Sequence, residues 1–118
     1  MTDAIIAKLR EALPGVGIGR KPLTRRCRAV VVRSRPEPTD GARRAERVTV
    51  ICIAPSFTEA RRMYLVSRKA LVSTGDSPSL GEGDAALTVR ENAGGVTSGF
   101  SVRTGLYRVG AVYTVTGY

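Results

Sequence analysis

Two segments of the chain repeat apolar side chains at the three-to-four-residue spacing of an amphipathic helix. The first covers residues 3–13, and Pro14 ends it. The second is predicted over residues 57–73, because Ser56 and Glu59 have the S-x-x-E form of a capping box at its start. Its predicted inner stripe consists of Phe57, Ala60, Tyr64 or Met63, Ser67 and Leu71.

The other apolar segments have the composition of β-strands. Residues 28–34 contain three consecutive valines and residues 46–54 are β-branched almost throughout, so the two are predicted to pair as a hairpin. Further strands are predicted at residues 86–91, 96–104 and 106–116. In the last of these, strict alternation puts one set of side chains on a common face: Tyr107, Val109, Ala111, Tyr113 and Val115.

The order helix, two strands, helix, then two or three strands predicts one α+β domain over residues 1–118. We expect a mostly antiparallel sheet of four to five strands with two helices packed on one face. A short strand near Val16–Ile18 is weakly indicated. Two segments are predicted to be flexible: a basic, proline-containing hairpin tip at about residues 35–45, and a Gly- and Ser-rich loop at about 75–84.

Positive charge is concentrated in one part of the chain. The formal net charge is +9, and residues 20–47 hold ten basic and three acidic side chains, which is +7 of that total. Most of the basic residues are arginines, whose forked guanidinium suits contacts with carboxylates or phosphates at an interface. A GC-rich genome would also raise arginine at the expense of lysine, so the composition alone does not establish an acidic partner.

The residues needed for the commonest enzymatic sites are missing from the sequence. With no histidine, neither a Ser-His nor a Cys-His pair can form within the chain. The two cysteines, Cys27 and Cys52, do not make a usual zinc site and are expected to be free thiols, with Cys52 buried. The glycine-rich stretch 15–21 departs from a phosphate-binding loop, because Lys21 is followed by Pro22. We expect no enzymatic activity and no cofactor.

The sequence has none of the usual membrane or secretion signals. No stretch approaches the roughly 20 apolar residues of a membrane span. The first residues carry an acidic Asp3 and then alternate charged with apolar positions, unlike the basic and then apolar regions of a secretory signal. An intracellular protein without a membrane partner is expected.

A basic composition is also the electrostatic footprint of nucleic-acid-binding proteins. However, aromatic residues for base stacking are not interleaved with the basic ones, and no helix-turn-helix spacing is visible. Basic residues on the outer side of the second helix, Arg61 and Arg62 among them, could touch backbone phosphates or form an ordinary solvated face. A non-specific basic nucleic-acid-binding module therefore stays open as an alternative.

Four features of the chain, taken together, have a counterpart in a known family. The opening helix ends in Leu13-Pro14-Gly15 before a glycine-rich step, and the strand Arg47–Ala54 leads into a helix that begins Phe57-Thr58-Glu59-Ala60-Arg61. An acidic, Gly- and Pro-containing loop follows that helix, and Leu106–Thr116 closes the chain as a strand. In this pattern the chain resembles the tail terminator proteins (minor tail proteins) of siphovirus-type bacteriophages. The resemblance covers residues 3–116 and has no counterpart for the tip 35–45.

The resemblance implies a structural virion protein without catalysis. Proteins of that family form a hexameric ring that caps the tail tube, ends tube polymerisation and provides the head–tail joining surface. Implied partners are other copies of the chain, the tail tube protein and the neck or head-completion protein, while DNA passes through the ring without specific binding. The implied location is the head-proximal end of the virion tail, after assembly in the host cytoplasm. Another head–tail connector or neck protein of similar fold is the alternative.

On this resemblance, the basic side chains become candidate partner contacts. The tip residues Arg35, Arg43 and Arg44 are expected to contact acidic groups on a neighbouring subunit, the tube protein or the neck protein. The full predicted set of partner-interface residues is Arg35, Arg43, Arg44, Arg47, Arg61 and Arg62.

Overall fold

Within the residues that the structure describes, the chain forms two helices and a six-stranded sheet. The structure, a computed structural model, describes residues 2–20, 28–37, 44–72, 87–92 and 94–117. The α+β class predicted from the sequence is confirmed. The elements are α1 (Thr2–Ala12), β1 (Gly17–Gly19), β2 (Ala29–Glu37), β3 (Arg44–Ala54), α2 (Phe57–Leu71), β4 (Thr88–Glu91), β5 (Thr97–Ser101) and β6 (Leu106–Gly117).

The sheet is built around the long central pair β3 and β6. The strand order is β1-β2-β3-β6-β4, and β5 also pairs with β6. Because β3 occupies one edge of β6 along its length, β5 and β4 share the other edge, opposite residues 106–110 and 113–116 respectively. All pairs are antiparallel except β1 with β2, which are parallel. The sheet is therefore mixed and has more strands than the four to five that the sequence predicts.

The shared edge strand is interrupted between β4 and β5. The Asn92 amide donates to the Val112 carbonyl at 2.9 Å, and the Asn92 side chain accepts a hydrogen bond from the Thr114 hydroxyl at 2.7 Å. A Cβ on Gly95 would lie only 3.1 Å from the Val112 Cβ, so this position favours a residue without a side chain. Asn92 and Gly95 thus lie against β6 and separate two short strands.

Both helices pack on the same face of the sheet, as predicted. The inner side of α2 buries Ala60, Met63, Ser67 and Leu71 against it, while Phe57, which the sequence places on this stripe, is exposed at the first helical position. The predicted alternation in β6 is confirmed, because its core side chains belong to one cluster with those of the helices. That cluster includes Ile5, Leu9, Val48, Val50, Val109, Ala111, Tyr113 and Val115. Each fully buried aliphatic side chain in such a core contributes about 1.5–3 kcal/mol.

The predicted N-terminal cap of α2 is confirmed. The Ser56 hydroxyl accepts a hydrogen bond from the Glu59 amide at 3.2 Å, which satisfies one of the free donors at the helix start. At the other end the Val72 amide donates to the Arg68 carbonyl at 2.9 Å, and Val72 itself is extended. The helix ends there, slightly earlier than the predicted residue 73.

The hairpin of β2 and β3 extends further than predicted. Pairing continues through Arg35–Arg47 and Pro36–Glu46 to Glu37–Ala45, so both ends of the predicted loop 35–45 belong to strands. The Arg28 carbonyl accepts from Gly17, so the even-numbered residues of this strand, Pro36 included, face the β1 side. Within the described residues β1 pairs with β2 only as far as Val31, so the missing N–H of Pro36 removes no hydrogen bond between strands. Residues 38–43 of the predicted tip and the predicted loop 75–84 lie outside the described residues.

Candidate interaction surfaces

The predicted partner-contacting arginines do not lie on one surface. Arg35 and Arg47 are directly paired across β2 and β3, on the sheet face opposite to the helices, and both are exposed. Arg61 and Arg62 are exposed on the outer side of α2, which is the other side of the molecule. Arg43 lies outside the described residues, and only the backbone of Arg44, the first residue of β3, is described.

Strand register extends the Arg35–Arg47 pair into a row across the sheet. Arg47 is opposite Thr114 of β6, and Thr114 is in turn opposite Arg90 of β4. Because neighbouring strands lie about 4.8 Å apart, the backbones of Arg35 and Arg90 are about 14 Å apart along this row. Arg33 lies one pleat away from Arg35 on the same face.

We call this basic surface the arginine face and define it by five exposed residues. They are Arg33, Arg35, Arg47, Arg90 and Arg108. The five arginines together carry a charge of +5. Positive charge is therefore concentrated on one side of the sheet.

An apolar strip lies between the basic positions on the same face. Val31, Ile51 and Ile53 point away from the helices, because each alternates along its strand with a residue of the helix-facing core. Val112 of β6 has the same orientation. Val31 is buried and the other three are partly exposed. Neither helix covers this strip, so part of its apolar surface is open to contact.

Exposed apolar side chains are concentrated on the hairpin of β5 and β6. Phe100 is 50% exposed and Val102, in the turn, is 89% exposed, while Val96 just before β5 is also exposed. The Phe100 ring packs against Tyr107 with centroids 4.7 Å apart. Within the described part of the chain β5 pairs with β6 alone, so its outer edge is open. We call residues 96–105 the edge hairpin.

The opposite edge of the sheet is partly capped by α1. The Arg10 guanidinium donates to the Ile18 carbonyl of β1 at 3.3 Å, and Arg20 forms an ion pair with Asp3 at the start of α1. A side chain that occupies the outward backbone groups of an edge strand opposes the addition of another strand there. The β1 part of this edge is therefore capped, whereas the outer edge of β5 is open within the described residues.

Two further ion pairs hold the elements together. The Arg28 guanidinium donates to Glu59 of α2 at 2.7 Å. Glu91 of β4 accepts from the Tyr64 hydroxyl at 2.9 Å and from Arg68 at 3.1 Å, which ties β4 to α2. Partial burial, together with the Glu91 carboxylate, raises the pKa of Tyr64 above its usual value. The carboxylates of Glu59 and Glu91 are therefore bound by side chains of the same molecule.

The buried thiol has the character of a core residue. Cys52 is a free cysteine, as the sequence predicts, and its sulfur lies 3.9 Å from the Ser67 hydroxyl. Burial raises the pKa of Cys52 to about 11, although the Ser67 contact acts in the opposite direction. The thiol is thus protonated near neutral pH and is a poor nucleophile. Among the described residues, no group of three or more His, Cys, Asp or Glu is placed to hold a metal ion.

A shallow groove of about 480 Å³ opens between the two helices. Its lining is Lys8, Glu11, Ala12, Val66, Lys69 and Ala70. Lys8, Glu11 and Lys69 are the ionisable groups that line it. None of the helices in the described ranges is long and apolar enough to cross a membrane.

Sequence reasoning identified only part of these surfaces. Arg33, Arg90 and Arg108 were not among the predicted contacts, because their alignment with Arg35 and Arg47 depends on pairing between distant segments. The available signal was alternation within each strand, which puts Arg33 and Arg35 on one face. The edge hairpin was missed because its exposed valine and phenylalanine have the composition of a buried strand.

Comparison with known proteins shows the fold and leaves the family open. No family model matches the sequence, and no curated protein matches it. Among solved structures, a chain of the "Virion of native gene transfer agent (GTA) particle" matches with a TM-score of 0.72 and 13% sequence identity. The match covers 99% of this chain and 93% of the other. At that identity the likeness shows that the two chains share a fold over almost their whole lengths.

Proposed function

We propose that the chain is a structural virion protein, a ring subunit that caps a phage tail tube, ends tube polymerisation and provides the head–tail joining surface. The observation that carries the proposal is the fold shared, over 99% of this chain, with a chain of a gene transfer agent virion. The sequence resemblance to tail terminators points in the same direction from independent features. Both are consistent with a part that acts through its surfaces and has no enzymatic activity.

A closed ring needs two different complementary patches on every subunit, because its contacts are head-to-tail. The edge hairpin supplies the first patch, since Phe100 and Val102 expose apolar surface beside an open strand edge. The capped edge near Ile18 differs from it in chemistry, as a head-to-tail contact requires. In the proposed ring the hairpin is covered by the neighbouring subunit, which also protects the open strand edge from aggregation.

A ring subunit also needs axial contacts on both sides, one toward the tube and one toward the neck. The predicted arginines support two such contacts, since Arg35 and Arg47 lie on one side of the molecule and Arg61 and Arg62 on the other. Arg43 and Arg44 belong to the same proposal because the sequence places them in the predicted tip 35–45. DNA would pass through the ring without specific binding, and the site of action would be the head-proximal end of the tail.

The proposal is tested by adding the purified chain to tube protein from the same particle during polymerisation. A terminator stops growth, so the mean tube length measured by electron microscopy should fall as the chain is added in increasing amounts. A tube length that does not depend on the chain would contradict the proposal. An unrelated basic protein of similar charge serves as the control, because charge alone should not end polymerisation.

Two alternatives are favoured by specific observations. The shared virion fold also fits another head–tail connector or neck protein, which would join the neck without stopping tube growth. The five arginines of the arginine face fit a non-specific nucleic-acid-binding module, whose DNA affinity would fall steeply with salt. The tube-length assay separates both from a terminator.

A further inference from the structure

We propose that the arginine face is the docking site for a different protein of the same particle, through a surface that carries carboxylates beside an apolar patch. This inference rests on the proposed function, because it takes the partner from the virion. It goes further because it names the face of the sheet that binds the partner and the chemistry of that partner. It also adds Arg33 and Arg90 to the contact residues predicted from the sequence.

The isolated chain places several positive charges close together on this face. Arg35 and Arg47 are directly opposite on paired strands, and Arg33 lies beside them on the same face. Like charges directly opposite across two strands destabilise a sheet. An acidic partner placed over this pair would add attraction to both guanidinium groups. Guanidinium groups also bind carboxylates through two parallel hydrogen bonds, which adds specificity of geometry.

Another copy of this chain has few acidic side chains available to contact the arginine face. Within the described residues Asp3, Glu59 and Glu91 already form ion pairs with arginines of their own chain. The chain as a whole has 19 basic and 10 acidic side chains. A contact between the arginine face and another copy would therefore bring together two positively charged surfaces. A protein of different composition is the better electrostatic complement.

The apolar strip on this face favours a protein partner over DNA. Ile51, Ile53 and Val112 form a partly exposed apolar strip between the basic positions. Protein–DNA interfaces are more polar and contain more water than protein–protein interfaces, so a duplex would leave this strip poorly used. Protein interfaces combine an apolar centre with arginine and a polar rim, which is the arrangement on this face.

The test compares two double variants that change the net charge equally. Arg33→Glu with Arg35→Glu reverses charge on the arginine face, and Arg61→Glu with Arg62→Glu does the same on the outer side of α2. The probes are the purified tube protein, the purified neck protein and a short DNA duplex, measured by isothermal titration calorimetry. We expect the first variant to lose about tenfold or more in affinity for one of the two proteins, because charge pairs at an interface contribute strongly. The second variant should keep its affinity for that protein.

A third variant, Ile53→Thr, tests the apolar strip. It should weaken binding of the same protein and leave any DNA binding unchanged, since a duplex would not use this side chain. Circular dichroism checks that each variant is folded, and Arg33→Gln with Arg35→Gln replaces the charge reversal if that variant unfolds.

Three results would overturn the inference. Unchanged protein affinity in both the Arg33/Arg35 and the Ile53 variants would remove the arginine face as a docking site. DNA binding that depends on Arg33 and Arg35, with no protein bound there, would assign the face to nucleic acid. A wild-type chain that binds neither protein and does not stop tube growth would remove the proposed function as well, whereas normal tube termination with an unaffected arginine variant would remove this inference alone.

Discussion

At the scale of single residues, two tyrosines of the helix-facing layer differ in how their hydroxyl groups are satisfied. The Tyr64 hydroxyl donates to Glu91 at 2.9 Å, while the buried Tyr113 hydroxyl has no hydrogen-bond partner within the described part of the chain. Burial raises the pKa of Tyr113 well above its usual value, and the Glu91 charge adds to this. A buried hydroxyl without a partner costs stability, whereas a paired one does not.

The two tyrosines therefore predict opposite responses to the same substitution. Tyr64→Phe should lower the free energy of unfolding by about 0.5–1.5 kcal/mol, because it removes a hydrogen bond and leaves Glu91 with fewer donors. Tyr113→Phe should leave the free energy of unfolding unchanged or raise it, because it removes an unsatisfied polar group while keeping the ring. Urea denaturation at pH 7 measures both, and a larger loss for Tyr113→Phe than for Tyr64→Phe would contradict this assignment.

Cys52 predicts a dependence of stability on alkaline pH. Its pKa is raised from 9.0 to about 11 in the folded chain. Because the folded pKa is the higher one, the stabilisation is complete below pH 9 and is lost as pH rises toward 11. The slope should approach about 1.4 kcal/mol per pH unit within that window. Urea denaturation of wild type and Cys52→Ala across this range isolates the effect, and identical slopes in the two proteins would rule it out.

At the scale of elements, the edge hairpin carries three of the exposed large apolar side chains, Val96, Phe100 and Val102. Phe100→Asp combined with Val102→Asp should abolish self-association, because it places charge on the proposed ring contact. Leu65→Asp is a matched control, since Leu65 on α2 is 49% exposed and Phe100 is 50% exposed. Native mass spectrometry and light scattering measure the oligomeric state. Loss of association in the Leu65 variant, with the hairpin variant unaffected, would place the contact elsewhere.

The pairing of β2 with β3 predicts a substitution that stabilises the isolated chain. Arg35→Thr removes the like-charge pair with Arg47 and introduces a residue that suits a strand, so the free energy of unfolding should rise by about 0.2–1 kcal/mol. The gain should shrink as salt is added, because screening already weakens the repulsion in the wild type. Thermal unfolding at low and high ionic strength measures it, and a loss of stability at low salt would contradict the electrostatic interpretation.

The elements that the sequence predicts well are those with local signals. Ser56 and Glu59 mark the start of α2 by a capping interaction, and the β-branched run in β3 marks a strand without reference to its partners. The prediction that Phe57 belongs to the buried stripe of α2 is wrong, because the first residue of a helix can still face solvent. The parallel pairing of β1 with β2 could not be predicted, since three residues with two glycines carry little strand signal.

At the scale of the whole molecule, function depends on how distant segments are brought to one surface. The sequence shows that residues 20–47 are basic, but pairing across four strands decides which arginines share a face. Arg90 joins Arg35 and Arg47 only through Thr114 of β6, a relation that no local pattern contains. The same pairing separates Arg35 from Arg61, so one predicted set of contacts becomes two surfaces on opposite sides.

The molecule presents chemically different surfaces on several sides. The outer edge of the edge hairpin is open within the described residues, and β1 is capped where Arg10 contacts Ile18. In the proposed ring these two places are the candidate contacts between neighbours, and the arginine face and the outer side of α2 are the candidate axial contacts.

If the chain caps a tail tube as a ring, as proposed, its position in the intact particle is fixed. Electron microscopy of virions that carry an affinity-labelled form of the chain measures both position and symmetry. We expect a single six-fold ring of label at the head-proximal end of the tail tube. Label along the tube, on the head shell, or absent from the particle would contradict it.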